Sequence, residues 1–362
     1  MLGRQFRLPR GLRTPTFAAT VPAVPGIGVI TNPRSRLNKR DPAAMRKLGY
    51  LIGDRGSAAA TRSLDDLYRV AEEFKSAGID ILGINGGDGT IHHTITAFVK
   101  VYGDRPLPMV AILRGGTMNT IANSYGIRGE PSKLLFELVD RYHNDEPFDV
   151  FDKEILKIGD AYGFIFGNGV IYNFLDAYYK TGRASPTTAA RLLLRAIGSA
   201  LVGGSLASEL TRRFRGRITV DGTTWAKDDF IAVAAACVEQ IGLGFRPFYR
   251  WNEPGTFPIL GIHVPSALGL IAELPRIHAA RPMRRHKVID QVARSVLFEA
   301  DEVTYTIDGD TYTARGELRL ATGPRLRFIR LSGVLGGDGL PPPERPPALS
   351  APARSITAPP EA

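Results

Sequence analysis

The run Asn85-Gly86-Gly87-Asp88-Gly89-Thr90 constrains this chain more than any other segment. An apolar strand-like stretch leads into it (Ile79, Ile81, Leu82, Ile84), and a helix-like pattern follows (Ile91, Ile95, Phe98, Val99). A strand that turns through glycines directly into a helix is a building block of a mainly parallel α/β sheet. Three glycines in four residues let the backbone come close to a phosphate with no Cβ in the way. The start of the next helix adds unpaired N–H groups and a positive dipole end. Asp88 is a poor phosphate ligand but a good partner for a ribose, a metal ion or a hydroxyl. The segment therefore reads as a nucleotide phosphate site carrying one acid, with an ordinary Gly-rich turn as the alternative. Its spacing is neither that of a Walker A loop nor G-x-G-x-x-G. Gly336-Gly337-Asp338-Gly339 repeats the tetrapeptide, but Pro341, Pro342 and Pro343 follow, so no helix can start there in the same way.

From Gly26 to about Asn144 strand and helix signals alternate. Gly26–Thr31 is a short apolar run ending at the turn signal Asn32-Pro33. Ser63 can cap a helix whose Leu64, Leu67, Val70, Ala71 and Phe74 share one face. Ile79–Asn85 and Pro108–Leu113 read as buried strands, and Pro131–His143 as a helix. The loop Arg114-Gly115-Gly116-Thr117-Met118-Asn119-Thr120 follows the second of these strands. In such sheets ligands sit at the carboxyl ends of the strands, where Asn32 and both Gly-rich loops fall.

Beyond about residue 147 the texture becomes that of an antiparallel β domain. Strand-like segments are Glu154–Ile158, Tyr162–Phe166, Arg217–Val220, Phe230–Ala236, Ser295–Glu299 and Val303–Ile307, interrupted by one amphipathic helix, roughly Thr187–Arg213. The expected organisation is a basic disordered arm (1–25), a nucleotide-binding α/β domain (26–146), a β-rich acceptor domain (147–332) and a disordered Pro/Ala-rich tail (333–362). Asp221-Gly222 reads as a plain hairpin turn.

With 362 residues there is room for two cores. No run of 18 apolar residues signals a spanning helix. The single cysteine, Cys237, lies in an apolar run and reads as a buried strand residue, which fits a reducing cytosol. A net charge of +10 favours an anionic partner: nucleotide, nucleic acid or acidic lipid surface. The apolar helix from Arg191 to Val202 stands near Arg212, Arg213, Arg215 and Arg217, and a second cluster runs Arg281, Arg284, Arg285, His286, Lys287. Such a helix beside cations suits an anionic membrane surface, although packing on the β domain explains it equally. No nucleic-acid motif accompanies the charge, so no nucleic-acid partner is expected.

Taken in order, these fragments resemble the diacylglycerol kinase catalytic family, which includes sphingosine kinases and soluble bacterial lipid kinases. The resemblance runs from about Gly26 to Leu331. It rests on Asn32-Pro33, Gly86–Thr90, Gly116-Thr117-Met118-Asn119, Phe166-Gly167-Asn168-Gly169-Val170 with Leu175-Asp176-Ala177, Gly242–Pro247, and Asp308-Gly309-Asp310. It implies a nucleotide-binding α/β domain and a β-sandwich, with ATP in the cleft between them, Mg²⁺, and a lipid hydroxyl as acceptor. By the same resemblance Gly86, Gly87, Gly89 and Thr90 would hold phosphates, with Asp88 in the same loop and Gly116, Thr117 and Asn119 beside them. Asn32 would orient the nucleotide, Asp308 would be the general base, and Asp310 would share that role or help organise Mg²⁺. No metal ligand set is assigned. From the residues alone, Asp308-Gly309-Asp310 is as well explained by a hairpin turn.

Three positions depart from the family pattern. His93 stands where Glu is usual, Thr120 where Asp is usual, and Arg114 where Pro is usual. His93 reads as a polar helix residue without a chemical role, with an acid/base group at neutral pH as the alternative, and a His92-His93 metal site is not expected because adjacent helix positions point different ways. The expected function is an ATP-dependent lipid kinase, with diacylglycerol the first acceptor and a sphingoid base or ceramide next. It would be cytoplasmic and peripheral at the inner membrane face. A kinase of a soluble acceptor such as NAD, or a non-catalytic nucleotide or lipid sensor, are the alternatives.

Overall fold

The computed structural model describes residues 25–35, 38, 52, 56–182 and 185–333. The expected basic arm, nearly all of the tail and the second Gly-Gly-Asp-Gly lie outside these residues. The N-terminal strands are β1 (Ile27–Thr31), β2 (Gly56–Ala60), β3 (Ile81–Asn85) and β4 (Met109–Ile112), all parallel in the order β2-β1-β3-β4. Every residue of β1 and β3 is buried, as expected for strands covered on both faces. Helix α1 (Leu64–Ala77) is capped by Ser63, whose side chain accepts from the Asp66 amide, and it ends at left-handed Gly78. Its buried stripe is Leu67, Val70, Ala71 and Phe74. Helix α2 (Asp88–Tyr102) starts directly from β3, and α3 (Thr120–Ser124) and α4 (Pro131–His143) follow β4.

The second half contains β5 (Val150–Ile158), β6 (Ala161–Gly163), β7 (Ile165–Gly169), β8 (Phe214–Arg215), β9 (Arg217–Val220), β10 (Thr223–Thr224), β11 (Asp229–Phe230) and β12 (Ala232–Ala236). It continues with β13 (Phe257–Ile262), β14 (Val288–Ala293), β15 (Ser295–Ile307) and β16 (Asp310–Ile329). Apart from the β8–β11 ribbon, the described strands form one 14-stranded sheet. The junction is β16. It pairs antiparallel with β15 and β5 along most of its length, and parallel with β4 at Phe328 and Ile329. The fold is thus mixed α/β, with parallel strands first and antiparallel strands after.

Several expected elements differ in detail, among them Tyr162–Phe166 and Phe230–Ala236, each of which falls on two strands. The amphipathic helix expected over 187–213 is two, α6 (Pro186–Leu201) and α7 (Ser205–Leu210), because Gly203 takes a positive φ of 67° and stops the first. A further helix, α5 (Val170–Lys180), occupies a stretch in which no helix was expected. Ser295–Glu299 and Val303–Ile307 are one strand, kinked by a bulge between Ala300 and Glu302. Two short helices, α8 (Ala267–Ile271) and α9 (Leu274–His278), lie near α6. Cys237 is buried just beyond β12, and burial pushes its thiol pKa up.

Candidate functional site

The candidate site begins at the end of β3. Gly87 caps α2 in an extended conformation, so the first amides of the helix face outward from the sheet edge. The two Gly-rich loops touch backbone to backbone. A Cβ on Gly116 would lie 2.3 Å from the Gly87 Cα, and one on Gly86 would lie 2.4 Å from the Thr90 Cβ. Asn32, at the end of β1, donates from Nδ2 to the Thr90 hydroxyl at 2.9 Å and accepts at Oδ1 from the Arg34 amide at 2.8 Å. Asn119 takes a left-handed conformation (φ 49°) and closes its own loop, its Oδ1 accepting from the Gly116 amide at 3.1 Å.

Asp88 is committed to structure. Its two oxygens accept from the amides of Thr120 and Ile121 at 3.0 and 3.1 Å, so it caps α3 from another loop. Burial raises its pKa, while those two amides act the other way. Thr120, where the resemblance led to an Asp, serves here through its backbone.

The hairpin reading of Asp308-Gly309-Asp310 is realised. Asp308 (φ 50°) and Gly309 (φ 98°) form the two-residue turn between β15 and β16. The turn aims the two carboxylates differently. Asp308 is buried and accepts from the Phe164 amide at 3.0 Å and the Ile165 amide at 2.8 Å. Burial raises its pKa well above the ordinary carboxylate value. The two amides lower it, and the charges of Asp88 and Asp310 add to the rise. Asp310 is partly exposed, 3.0 Å from the His93 Nε2.

His93 therefore lines the polar side of the candidate site beside Asp310. The ring centroids of His92 and His93 are 4.5 Å apart, and ligand atoms of His92, His93 and Asp310 lie within 4.8 Å of one another, closer than helix geometry alone led us to expect. His92 is nevertheless occupied. Its Nδ1 donates to the Tyr162 carbonyl and its Nε2 accepts from the Tyr312 hydroxyl, both at 2.7 Å. Burial pushes the His92 imidazole down to about 4, so it is neutral. A nitrogen-rich set with one committed imidazole suits Mg²⁺ poorly. Asp310 alone offers a carboxylate of the kind that Mg²⁺ takes beside substrate phosphates.

Two cavities meet at this edge. A polar one of about 600 Å³ is lined by Asn32, Arg34, Arg62, Gly87, Thr90, His93, Gly116 and Asp310. An apolar one of about 420 Å³ runs beneath α5, α6, α8 and α9, with Asp88 and Asp308 in its wall. Gly89, Thr117 and Tyr179 line both. Tyr179 was not anticipated from the sequence. Its hydroxyl donates to the Gly309 carbonyl at 2.9 Å, and burial raises its pKa to about 12. Position in an apolar helical stripe was its only signal.

Comparison with known proteins follows the same line. Residues 26–151 match the family model described as "Diacylglycerol kinase catalytic domain". "Probable lipid kinase YegS" of Escherichia coli O127:H6 and that of Shigella flexneri are each 40% identical over 98 residues, which is 26% of this chain. The matched segment spans 32% of the length of those relatives. A crystal structure of a diacylglycerol kinase from Bacillus anthracis str. Sterne superposes with a TM-score of 0.59 at 17% identity, covering 86% of this chain and 98% of that one. At that identity the likeness is one of fold.

Proposed function

We propose, on the match of residues 26–151 to the diacylglycerol kinase catalytic domain model, that the chain is an ATP-dependent kinase of a lipid hydroxyl. One observation carries the proposal. The polar cavity and the apolar cavity share a wall at Gly89, Thr117 and Tyr179, with Asp310 on the polar side and Asp308 on the apolar side. A nucleotide in the first and a lipid in the second would meet at that wall.

Phosphoryl transfer needs positioning and neutralisation more than covalent chemistry. The amides at the start of α2 and the loop at Gly116 and Thr117 would hold the phosphates, with Arg34 and Arg62 adding positive charge. Asn32 would fix the approach of the nucleotide through Thr90. The lipid hydroxyl oxygen would bond to the γ-phosphorus as the bond from phosphorus to the β–γ bridging oxygen breaks. Its proton would pass to Asp308, and ADP would leave. The amides of Phe164 and Ile165 support Asp308 in its ionised form against the cost of burial. Asp310 would hold Mg²⁺, which neutralises phosphate charge when bound with the nucleotide.

The membrane side fits this role. Leu194 in the middle of α6, Leu201 at its end and Val202 just beyond are exposed, on a helix that also carries Arg191 and Arg195. Apolar side chains beside cations suit peripheral docking on an anionic surface. No helix among the described residues is long and apolar enough to cross a membrane. A soluble acceptor such as NAD has no use for the apolar cavity. Lipid-stimulated ADP release from ATP tests the reading: release that ignores lipid micelles, or that responds to NAD instead, contradicts it.

A further inference from the structure

We propose that His92, His93 and Asp310 form a binding site for a first-row transition-metal dication of the Zn²⁺ class, where α2 meets the start of β16. The site is built from side-chain geometry and does not depend on the kinase reading.

The His92 imidazole is prepared as a ligand. A carbonyl oxygen only accepts, so the contact of Nδ1 with the Tyr162 carbonyl at 2.7 Å puts the ring proton on Nδ1. That leaves the lone pair on Nε2. Metal-ligating histidines anchor their other nitrogen to a carbonyl or carboxylate in this way, which fixes both tautomer and ring orientation. Burial pushes the imidazole pKa down to about 4, so no proton competes for the lone pair near neutral pH. The Tyr312 hydroxyl donates into it at 2.7 Å. A hydroxyl proton can rotate away and give the lone pair to a metal.

The other two ligands stand beside it. The His93 Nε2 and the Asp310 Oδ2 are 3.0 Å apart, and one donor atom from each of the three residues falls within 4.8 Å of the others. Donors on a tetrahedral zinc with bonds of about 2.0–2.2 Å stand about 3.3–3.6 Å apart. His93 and Asp310 are both partly exposed, so their side chains can close the remaining gap around a fixed His92. Gly89 makes room for the carboxylate: a Cβ there would lie 2.8 Å from the Asp310 Oδ2.

Donor chemistry selects the metal. Two imidazole nitrogens and one carboxylate oxygen suit zinc and its first-row neighbours, whereas Mg²⁺ takes a shell of oxygens. Three protein ligands leave a fourth position open. The polar cavity that His93 and Asp310 line would fill it with water or a phosphate oxygen. On the kinase reading Asp310 also serves Mg²⁺, so zinc would inhibit by taking that carboxylate.

The test is calorimetric titration of Zn²⁺ into the untagged full chain, without nucleotide or lipid, in a buffer free of phosphate and chelators. Co²⁺ serves as the spectroscopic probe, because its visible ligand-field bands report four-coordination. We expect one ion per chain with tetrahedral Co²⁺ bands. His93→Ala should weaken binding by at least the about 10–100-fold that loss of even an outer partner costs. Tyr312→Phe keeps the ring and removes the competing hydroxyl, so it should tighten binding about two- to tenfold, the net contribution of one hydrogen bond. Melting curves without metal check that each variant is folded, and His93→Gln repeats the first should the alanine variant fold poorly. Absence of one-to-one binding by the wild type, or an affinity unmoved by either the His93 or the Tyr312 change, would overturn the inference. Since neither nucleotide nor lipid enters the measurement, that result would leave the kinase reading standing.

Discussion

The His93 Nε2 lies 3.0 Å from the Asp310 Oδ2, joining the helix that follows the first glycine loop to the strand that leaves the Asp308 turn. Two positions 217 residues apart, where the family resemblance led to two carboxylates, hold here a pair of opposite character. Together they form one wall of the polar cavity.

That pair is partly exposed on both sides, so its worth to folding is small, about 0–1 kcal/mol. We predict that His93→Ala leaves urea stability nearly unchanged and lowers kcat/KM for ATP by up to about fivefold. Steady-state kinetics beside an unfolding curve checks both. A loss of several kcal/mol would make the pair a structural clamp instead.

Asp308 should govern the pH profile. Burial holds its pKa well above the ordinary carboxylate value, so it is protonated at low pH and cannot accept a proton. The rate is expected to rise with pH through this raised value. The sign for stability is opposite. A carboxyl whose folded pKa is raised favours the folded state most below the unfolded value, and that contribution is lost as pH climbs to the folded one. Asp308→Asn should flatten this dependence in a pH series of melting curves. Retention of the wild-type slope would assign it to another group.

Asp88→Ala should loosen α3 by leaving the Thr120 and Ile121 amides without an acceptor. A lost cap costs about 1 kcal/mol, within a range of about 0.5–2. Nucleotide affinity should fall with it, since the same loop carries Thr117 and Asn119. Titration with a nucleotide analogue is the readout, and unchanged affinity would separate the cap from the site.

Gly116→Ala tests the contact between the loops. Its Cβ would lie 2.3 Å from the Gly87 Cα, so the loops must part. Overpacking of this kind costs about 1–3 kcal/mol and should weaken nucleotide binding at least several-fold. Gly198→Ala on α6, with open space around it, is the control and should be neutral or slightly stabilising.

The first half of the fold was legible because its signals are local. Ser63, Gly78 and Pro131 mark helix ends, and β1 and β3 are continuous apolar runs. The longest strand, β16, went unread. Its exposed polar residues, Gly316 at a positive φ of 77° and the Gly323-Pro324 pair break the alternation that marks a half-buried strand. Its strandness comes from pairing with β15 and β5, which no local window contains. The same holds in the site. The glycine loops and Asp308 carry recognisable patterns, whereas Tyr179 and His93 gain their place only when distant elements meet.

In the proposed reaction Asp308 accepts the proton of a lipid hydroxyl as ATP gives up its γ-phosphate. Transfer of labelled γ-phosphate into mixed lipid micelles, wild type beside Asp308→Asn, tests it most directly. Labelled lipid is expected with the wild type, and a rate lower by about 10²–10⁴ with the variant. Equal labelling by both proteins, or none by the wild type with any lipid offered, would contradict it.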